Sequence, residues 1–236
     1  MTRSALRPDE HESYVAGRFD ALHHRFKPAV SRNDVRLQAL LDRLGPLEGL
    51  RVLDLGCGKG RFAVRLEAMG AQVVGVDLSH AMLSQAAPLP RLRASARRLP
   101  FGDASFDAVV AVEVFEHLEA LGPVIAEVRR VLRPGGRLAV IDKNAGSFNS
   151  RRPWLPNLVV KWIDEQRGLW MYPAHGPVRE RWIWPRALRR RLGERFEDVT
   201  TDFLLSADEP RLLFHAVAGV RRMVLWTARV PGGDRE

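Results

Sequence analysis

Apolar residues along this chain fall first into a helical spacing and then into a repeated alternation of short apolar runs with amphipathic stretches. Residues 1–45 are polar and charged, with helical spacing from Asp34 onward (Val35, Leu37, Leu40, Leu41, Leu44) and a stop at Gly45-Pro46. This predicts one or two helices leading into a main domain. From there Arg51–Leu55 reads as a strand, Arg61–Met69 as a helix, Gln72–Val76 as a strand and Ser79–Ala87 as a short helix. Leu92–Ala96 is a weaker strand, Phe106–Val112 a strong one, Leu118–Leu132 a helix and Arg137–Ile141 another strong strand. Strands that alternate with helices at this spacing predict a parallel sheet covered on both faces, because parallel strands need crossover connections.

After Asp142 the rhythm breaks. Residues 143–184 hold five of the six Trp with several Pro and many Arg, which predicts an insertion or lid in place of a further βα unit. Regularity returns with Pro185–Leu192 as a helix, Val199–Leu205 as a strand, a helix around Arg211–Val220 and Met223–Val230 as a last strand. Two strands joined by a short connection at the end of the chain predict an antiparallel edge. The 236 residues then form one domain: a helical N-terminal extension (1–48), a core (49–142), the insertion (143–184) and the C-terminal part of the core (185–236).

Composition changes this picture little. Hydrophobic residues at 46% and charged ones at 28% exclude a mainly disordered chain. The formal charge of +9 invites a nucleic-acid or anionic-membrane reading. Only four of the 37 basic residues are Lys, however, and the Arg are spread along the whole chain. No basic patch interleaved with aromatics on strands stands out, so nucleic acid is not an expected partner. A single cysteine, Cys57, excludes a disulfide-stapled fold. With no leader-like start and no apolar run of spanning length, the expected location is the cytoplasm.

The sharpest local signal is Val52-Leu53-Asp54-Leu55-Gly56-Cys57-Gly58-Lys59-Gly60, a strand running into a glycine loop and then a helix. Glycines allow a tight turn and a close approach to a ligand, and the helix start offers free N–H groups to an anion. Asp77 ends the next strand, where a carboxylate can accept from both hydroxyls of a ribose.

The run Asp54, Gly56, Gly58, Gly60 resembles the first motif of class I S-adenosylmethionine-dependent methyltransferases. Three further segments resemble that family in order: Leu99–Asp107, Glu113–Leu118 and Leu132–Gly136. The resemblance covers residues 50–142, and more loosely 183–230, and is nearest to methyltransferases of the ubiquinone-biosynthesis O-methyltransferase kind. It implies a Rossmann-like α/β fold: a doubly wound, seven-stranded, mostly parallel sheet with an antiparallel C-terminal edge. It also implies that Asp54 and the loop Gly56, Cys57, Gly58 and Gly60 hold the methionine part of S-adenosylmethionine, and that Asp77 binds the ribose with Leu78 beside the adenine. At the adenine edge the family has an acidic residue followed by a small one, whereas this chain has Ser95-Ala96. The Ala96 amide can still donate there, but a charged acceptor for the exocyclic amine is missing.

Glu113, Glu116 and His117 follow the fourth strand, at the sheet edge where ligands of open α/β folds bind. Three readings stay open for them: a catalytic base or substrate contact, with Glu113 also on the cofactor; a divalent-metal site, as the resemblance allows; or packing within the fold. The metal is the less favoured reading of the site. Trp154, Trp170, Tyr172 and His175 of the insertion are candidate substrate contacts. Ser150–Ile163 interleaves Arg151, Arg152 and Lys161 with Trp154, Trp162 and aliphatic residues. Such a segment can lie on an anionic membrane, close over an apolar substrate, or pack as a lid helix. The expected activity is methylation of a small-molecule acceptor, with oxygen as the first choice of nucleophile. RNA methylation, N- or C-methylation and a non-catalytic cofactor-binding role are the alternatives.

Overall fold

The computed structural model describes residues 6–86, 89–206, 209, 214 and 216–232. Seven strands form a single sheet in the order β3-β2-β1-β4-β5-β7-β6. They are β1 (Arg51–Leu55), β2 (Gln72–Asp77), β3 (Arg91–Arg93), β4 (Phe106–Val112), β5 (Leu132–Lys143), β6 (Glu197–Leu204) and β7 (Met223–Arg229). The first five strands are parallel, and β7 runs antiparallel between β5 and β6. The expected doubly wound sheet with an antiparallel C-terminal part is therefore present. Its order reverses between β1 and β4, the switch point at whose carboxyl end a crevice opens.

Alternation along the strands sorts the core into two layers. Leu53, Val109, Ala111, Leu138, Val140, Val224 and Trp226 face one side, against α5 (Leu121–Val131) and α7 (Pro185–Gly193). Val52, Ala108, Val110, Ala139, Ile141 and Leu225 face the other, with Leu37, Leu40 and Leu44 of α2 (Val35–Leu44) and Leu66 of α3 (Ala63–Glu67). In α5 the buried stripe is Val124, Ile125, Val128 and Val131, the repeat of one helical face. Asp34 caps α2 by accepting from the Arg36 backbone N–H at 2.9 Å, and Gly45 ends it with φ 68°.

Several elements are shorter than the apolar pattern predicts. The helix expected over Arg61–Met69 is α3, since the glycine loop continues as turns through Phe62. The strand expected over Leu92–Ala96 is β3, which leaves the pairing before Ser95 as the Ser95 hydroxyl accepts from the Arg97 N–H. The helix expected from Leu118 starts at Leu121, because Phe115–His117 form a 3-10 turn of their own. The helix expected over Ser79–Ala87 is α4 (His80–Ser84), and Ala87 lies outside the described residues. Of the helix expected around Arg211–Val220, residues 211–213 and 215 lie outside the described residues; Ala218–Val220 form a 3-10 turn.

The N-terminal extension packs over the crevice. It contains α1 (Pro8–Leu22) and α2. Asp20 on α1 accepts from Ser79 Oγ (2.6 Å) and from the Ala81 N–H (2.9 Å), so it joins the N-terminus of α4 to α1. Lys59 Nζ donates to Phe26 O at 3.0 Å, and Arg65 Nη2 to Val30 O at 2.8 Å. The insertion after β5 carries one helix, α6 (Asn157–Gln166).

Candidate active site

A cavity of about 460 Å³ lies at the carboxyl ends of β1, β2 and β4, within the size range of small-molecule sites. Its walls come from α1, the glycine loop, Asp77–Leu78, the segment after β4, Lys143 at the end of β5, and Met171 and Glu180 of the insertion.

The glycine loop is shaped by contacts that exclude a side chain. Gly56 has φ 71°, and a Cβ there would fall 2.4 Å from Val114 Cγ2. Gly58 has φ 53°, and a Cβ there would meet Met82 Cε at 2.9 Å. The Gly58 N–H donates to Asp77 Oδ2 and the Ser79 N–H to Asp77 Oδ1, both at 2.8 Å. Asp77 therefore ties the loop after β1 to the end of β2 while presenting its remaining lone pairs to the cavity. Burial, followed by the Asp77 charge, pushes Asp54 up to about 7, and Asp54 Oδ2 has no hydrogen-bond partner among the described residues. An unpartnered buried carboxylate oxygen beside a cradle that a Cβ would obstruct suits a ligand with a cationic or donor group, as S-adenosylmethionine has in its ammonium.

Asp54, Gly56, Cys57, Gly58, Asp77, Leu78, Ala96, Glu113, Glu116 and His117 all line the cavity; Gly60 and Ser95 do not. Burial pushes the Cys57 thiol up, so it stays protonated. Ser95 reaches the cavity through a neighbour: its hydroxyl donates to Glu12 Oε1 at 2.6 Å, and Glu12, on α1, is a lining residue. The N-terminal helix thus brings a carboxylate beside Ser95.

The segment after β4 is built around buried charge. Glu113 takes a left-handed backbone conformation (φ 58°), a costly one for a residue with a side chain. Its Oε2 accepts from Arg36 Nη1 (2.6 Å) and Arg61 Nη2 (2.9 Å). Burial opposes its ionisation, but Lys143, Arg36 and Arg61 outweigh that and hold its carboxyl below the usual range. Lys143 Nζ donates to Glu116 Oε1 (2.5 Å) and Glu180 Oε1 (3.1 Å), and these acids hold the ammonium well above its ordinary value against burial. Burial pushes Glu116 up to about 8 even so, and its Oε2 has no partner among the described residues. Glu180 stays below its usual range: Lys143 and the donated Trp182 bond overcome its burial. Trp182 Nε1 and Trp170 Nε1 donate to Glu180 at 2.6 and 3.0 Å.

Burial pushes His117 down to about 4, so its imidazole is neutral at neutral pH. Its Nδ1 lies 3.2 Å from Tyr172 Oη, and Phe19 of α1 meets its ring edge-on at 5.1 Å between centroids. Its Nε2 is 3.6 Å from Glu116 Oε1, beyond hydrogen-bond distance.

The metal reading is corrected in its ligand set. The potential ligand atoms of Glu116, His117 and Glu180 lie within 4.8 Å of one another, whereas Glu113 is turned to its two arginines. Lys143 bridges Glu116 and Glu180, so its ammonium supplies the positive charge there and these residues do not fit a divalent cation. None of the four insertion residues expected as substrate contacts lines the cavity. Tyr172 is buried behind His117, and Trp170 is held on Glu180. Trp154 is 76% exposed and, like His175, is not brought to the cavity, because the loops carrying them run over the outside of the insertion.

Glu12, Arg36, Arg61, Lys143 and Glu180 were not legible as site residues. Lys143 had a signal, its position at the carboxyl end of β5, matching that of Glu113 after β4. The others arrive from segments remote in sequence.

Residues 53–140 match the family model described as a methyltransferase domain. The chain is 30% identical over 178 residues to the ubiquinone/menaquinone biosynthesis C-methyltransferase UbiE of Paracoccus denitrificans, covering 70% of this chain and 67% of that one. This chain belongs to the S-adenosylmethionine-dependent methyltransferase family. It is also 34% identical over 149 residues to the ubiquinone biosynthesis O-methyltransferase of Paracidovorax citrulli, covering 58% of this chain and 62% of that protein. The fold matches an S-adenosylmethionine-dependent methyltransferase from Mesorhizobium loti with a TM-score of 0.62 at 22% identity, over 84% of this chain and 98% of the other. The methyltransferase chain spans between half and two thirds of the length of the curated relatives it matches.

Proposed function

We propose that this protein transfers the methyl group of S-adenosylmethionine to a hydroxyl of a small-molecule acceptor. The observation that carries the proposal is His117, its Nδ1 against Tyr172 Oη, on the wall of the same cavity as the glycine loop and Asp77. When bound, the cofactor supplies an electrophilic methyl group. The chain's own residues then have two tasks, alignment and handling of a proton.

Asp54 and the Gly56–Gly58 backbone hold the methionine end, Asp77 the ribose, and the Ala96 N–H with the Glu12 carboxylate the adenine edge. With Nδ1–H donating to Tyr172 Oη, the neutral imidazole keeps its lone pair on Nε2, where a hydroxyl of the acceptor can give up its proton. Glu116, Glu180 and Lys143 fix the charge around that ring without a metal. Aromatic and aliphatic lining from Phe19, Phe26, Val114, Leu118 and Met171 supports an acceptor with apolar surface, such as a phenol.

The C-methyltransferase among the relatives favours a second reading, attack by a ring carbon of a phenol, which uses the same proton acceptor. Incubation with methyl-labelled cofactor and metabolite and lipid extracts, followed by mass spectrometry, tests both. Label on an oxygen of a small molecule is the expected result. Label on carbon selects the second reading, and label only in RNA or in no product overturns the proposal.

A further inference from the structure

Helix α6 is turned inside out. Its inward stripe is Asn157, Lys161 and Glu165, each at most 7% exposed, while Leu158, Val159, Trp162 and Ile163 are exposed at 37–59%. Amphipathic helices of folded proteins bury the opposite face. The inversion is held by satisfied polar contacts. Asn157 Nδ2 donates to Ser147 Oγ (3.0 Å) and Phe148 O (2.8 Å). Lys161 pairs with Glu165 and sits 5.7 Å over the Trp170 ring. Rolling the helix to bury its apolar side would lift Lys161 off the Trp170 ring and leave the Asn157 partners unpaired. Trp154 and Leu169, at the two ends of the segment, add 76% and 55% exposed side chains.

We infer that this face docks on an anionic phospholipid bilayer. The exposed charges of residues 150–169 are Arg151, Arg152 and Arg167, and the segment's acids are half-buried (Asp164) or buried (Glu165). Apolar and indole side chains at the acyl boundary, with guanidinium groups at the phosphates, are the interfacial arrangement. A second copy of the chain would set these arginines against their own equivalents with no exposed acid of the segment to meet them; lipid phosphates meet them directly. The inference is independent of the acceptor's identity. It has a consequence for access, because the same insertion supplies Met171 and Glu180 to the cavity wall.

The test is co-sedimentation of the full chain with vesicles of phosphatidylcholine alone or with about 30% phosphatidylglycerol, at about 100 mM salt. The expected result is recovery at least about tenfold higher with the anionic vesicles, lost in Trp162→Asp and reduced in the double variant Arg151→Glu, Arg152→Glu. S-adenosylhomocysteine binding by calorimetry, unchanged in these variants, shows that the fold is intact. Equal recovery on both vesicles, no recovery, or recovery indifferent to Trp162→Asp overturns the inference. A dimer by light scattering that Trp162→Asp dissociates overturns it in favour of a second copy.

Discussion

The Ser95 hydroxyl donates to Glu12 Oε1 at 2.6 Å, joining the segment after β3 to a helix 83 residues earlier. Position 95 is where the family resemblance places an acid facing the adenine, and the tertiary fold brings a carboxylate there from α1. Replacing Glu12 by Ala should weaken S-adenosylhomocysteine binding about tenfold, the scale of one hydrogen bond to a charged group. It should also reduce the preference for the adenosyl over the inosyl ligand, since inosine lacks the amine. Calorimetry with both ligands checks this; an unchanged preference would remove Glu12 from the adenine edge.

Asp54 carries the pH dependence. Burial raises it to about 7, so in the ligand-free protein it gains a proton as pH falls through neutrality. A cofactor ammonium favours the ionised form. Affinity for S-adenosylhomocysteine should therefore be maximal above pH 7 and fall by up to about tenfold per pH unit below it. Binding isotherms between pH 5.5 and 8.5 read this, and Asp54→Asn should flatten the slope.

Lys143 is the internal cation of the cluster. Lys143→Met leaves Glu116 and Glu180 facing each other without it and should cost about 3–5 kcal/mol of stability, the scale of breaking a buried pair. The same variant frees the Glu116, His117 and Glu180 ligand atoms, so manganese should raise its thermal midpoint while leaving that of the wild type unmoved. A manganese-stabilised wild type would show that Lys143 yields its place to a metal.

The alternation of strands and helices and the glycine loop were legible because each rests on local sequence: Val-Leu-Asp-Leu before a glycine triplet, and acid-ended or apolar strands spaced by helices. Element ends were less so, since α3 starts only after the turns that run through Phe62, and α5 only after the 3-10 turn Phe115–His117. The inversion of α6 reads in sequence only as Trp and Arg mixed together, because a helical wheel shows two faces without saying which one the fold covers. The charge cluster was the least legible part. Glu180 lies 37 residues from Lys143 and Arg36 77 from Glu113, and nothing local marks either pairing.

His117 is held neutral by burial, with its pKa near 4. In the unfolded chain it titrates near its ordinary 6.5. Its contribution to stability is thus present above pH 6.5 and lost as pH falls toward 4. Imidazole resonances followed by NMR should show His117 unprotonated down to about pH 5. A midpoint between 6 and 7 would contradict a buried, neutral ring.

Cofactor binding at Asp77 is tested by calorimetric titration of S-adenosylhomocysteine into the wild type, Asp77→Asn and Asp77→Ala, with thermal midpoints on the same samples. The expected result is one site per chain, weakened at least about tenfold by Asp77→Ala and less by Asp77→Asn, which keeps one acceptor oxygen. Absence of binding to the wild type, or equal affinity in a folded Asp77→Ala protein, would contradict it.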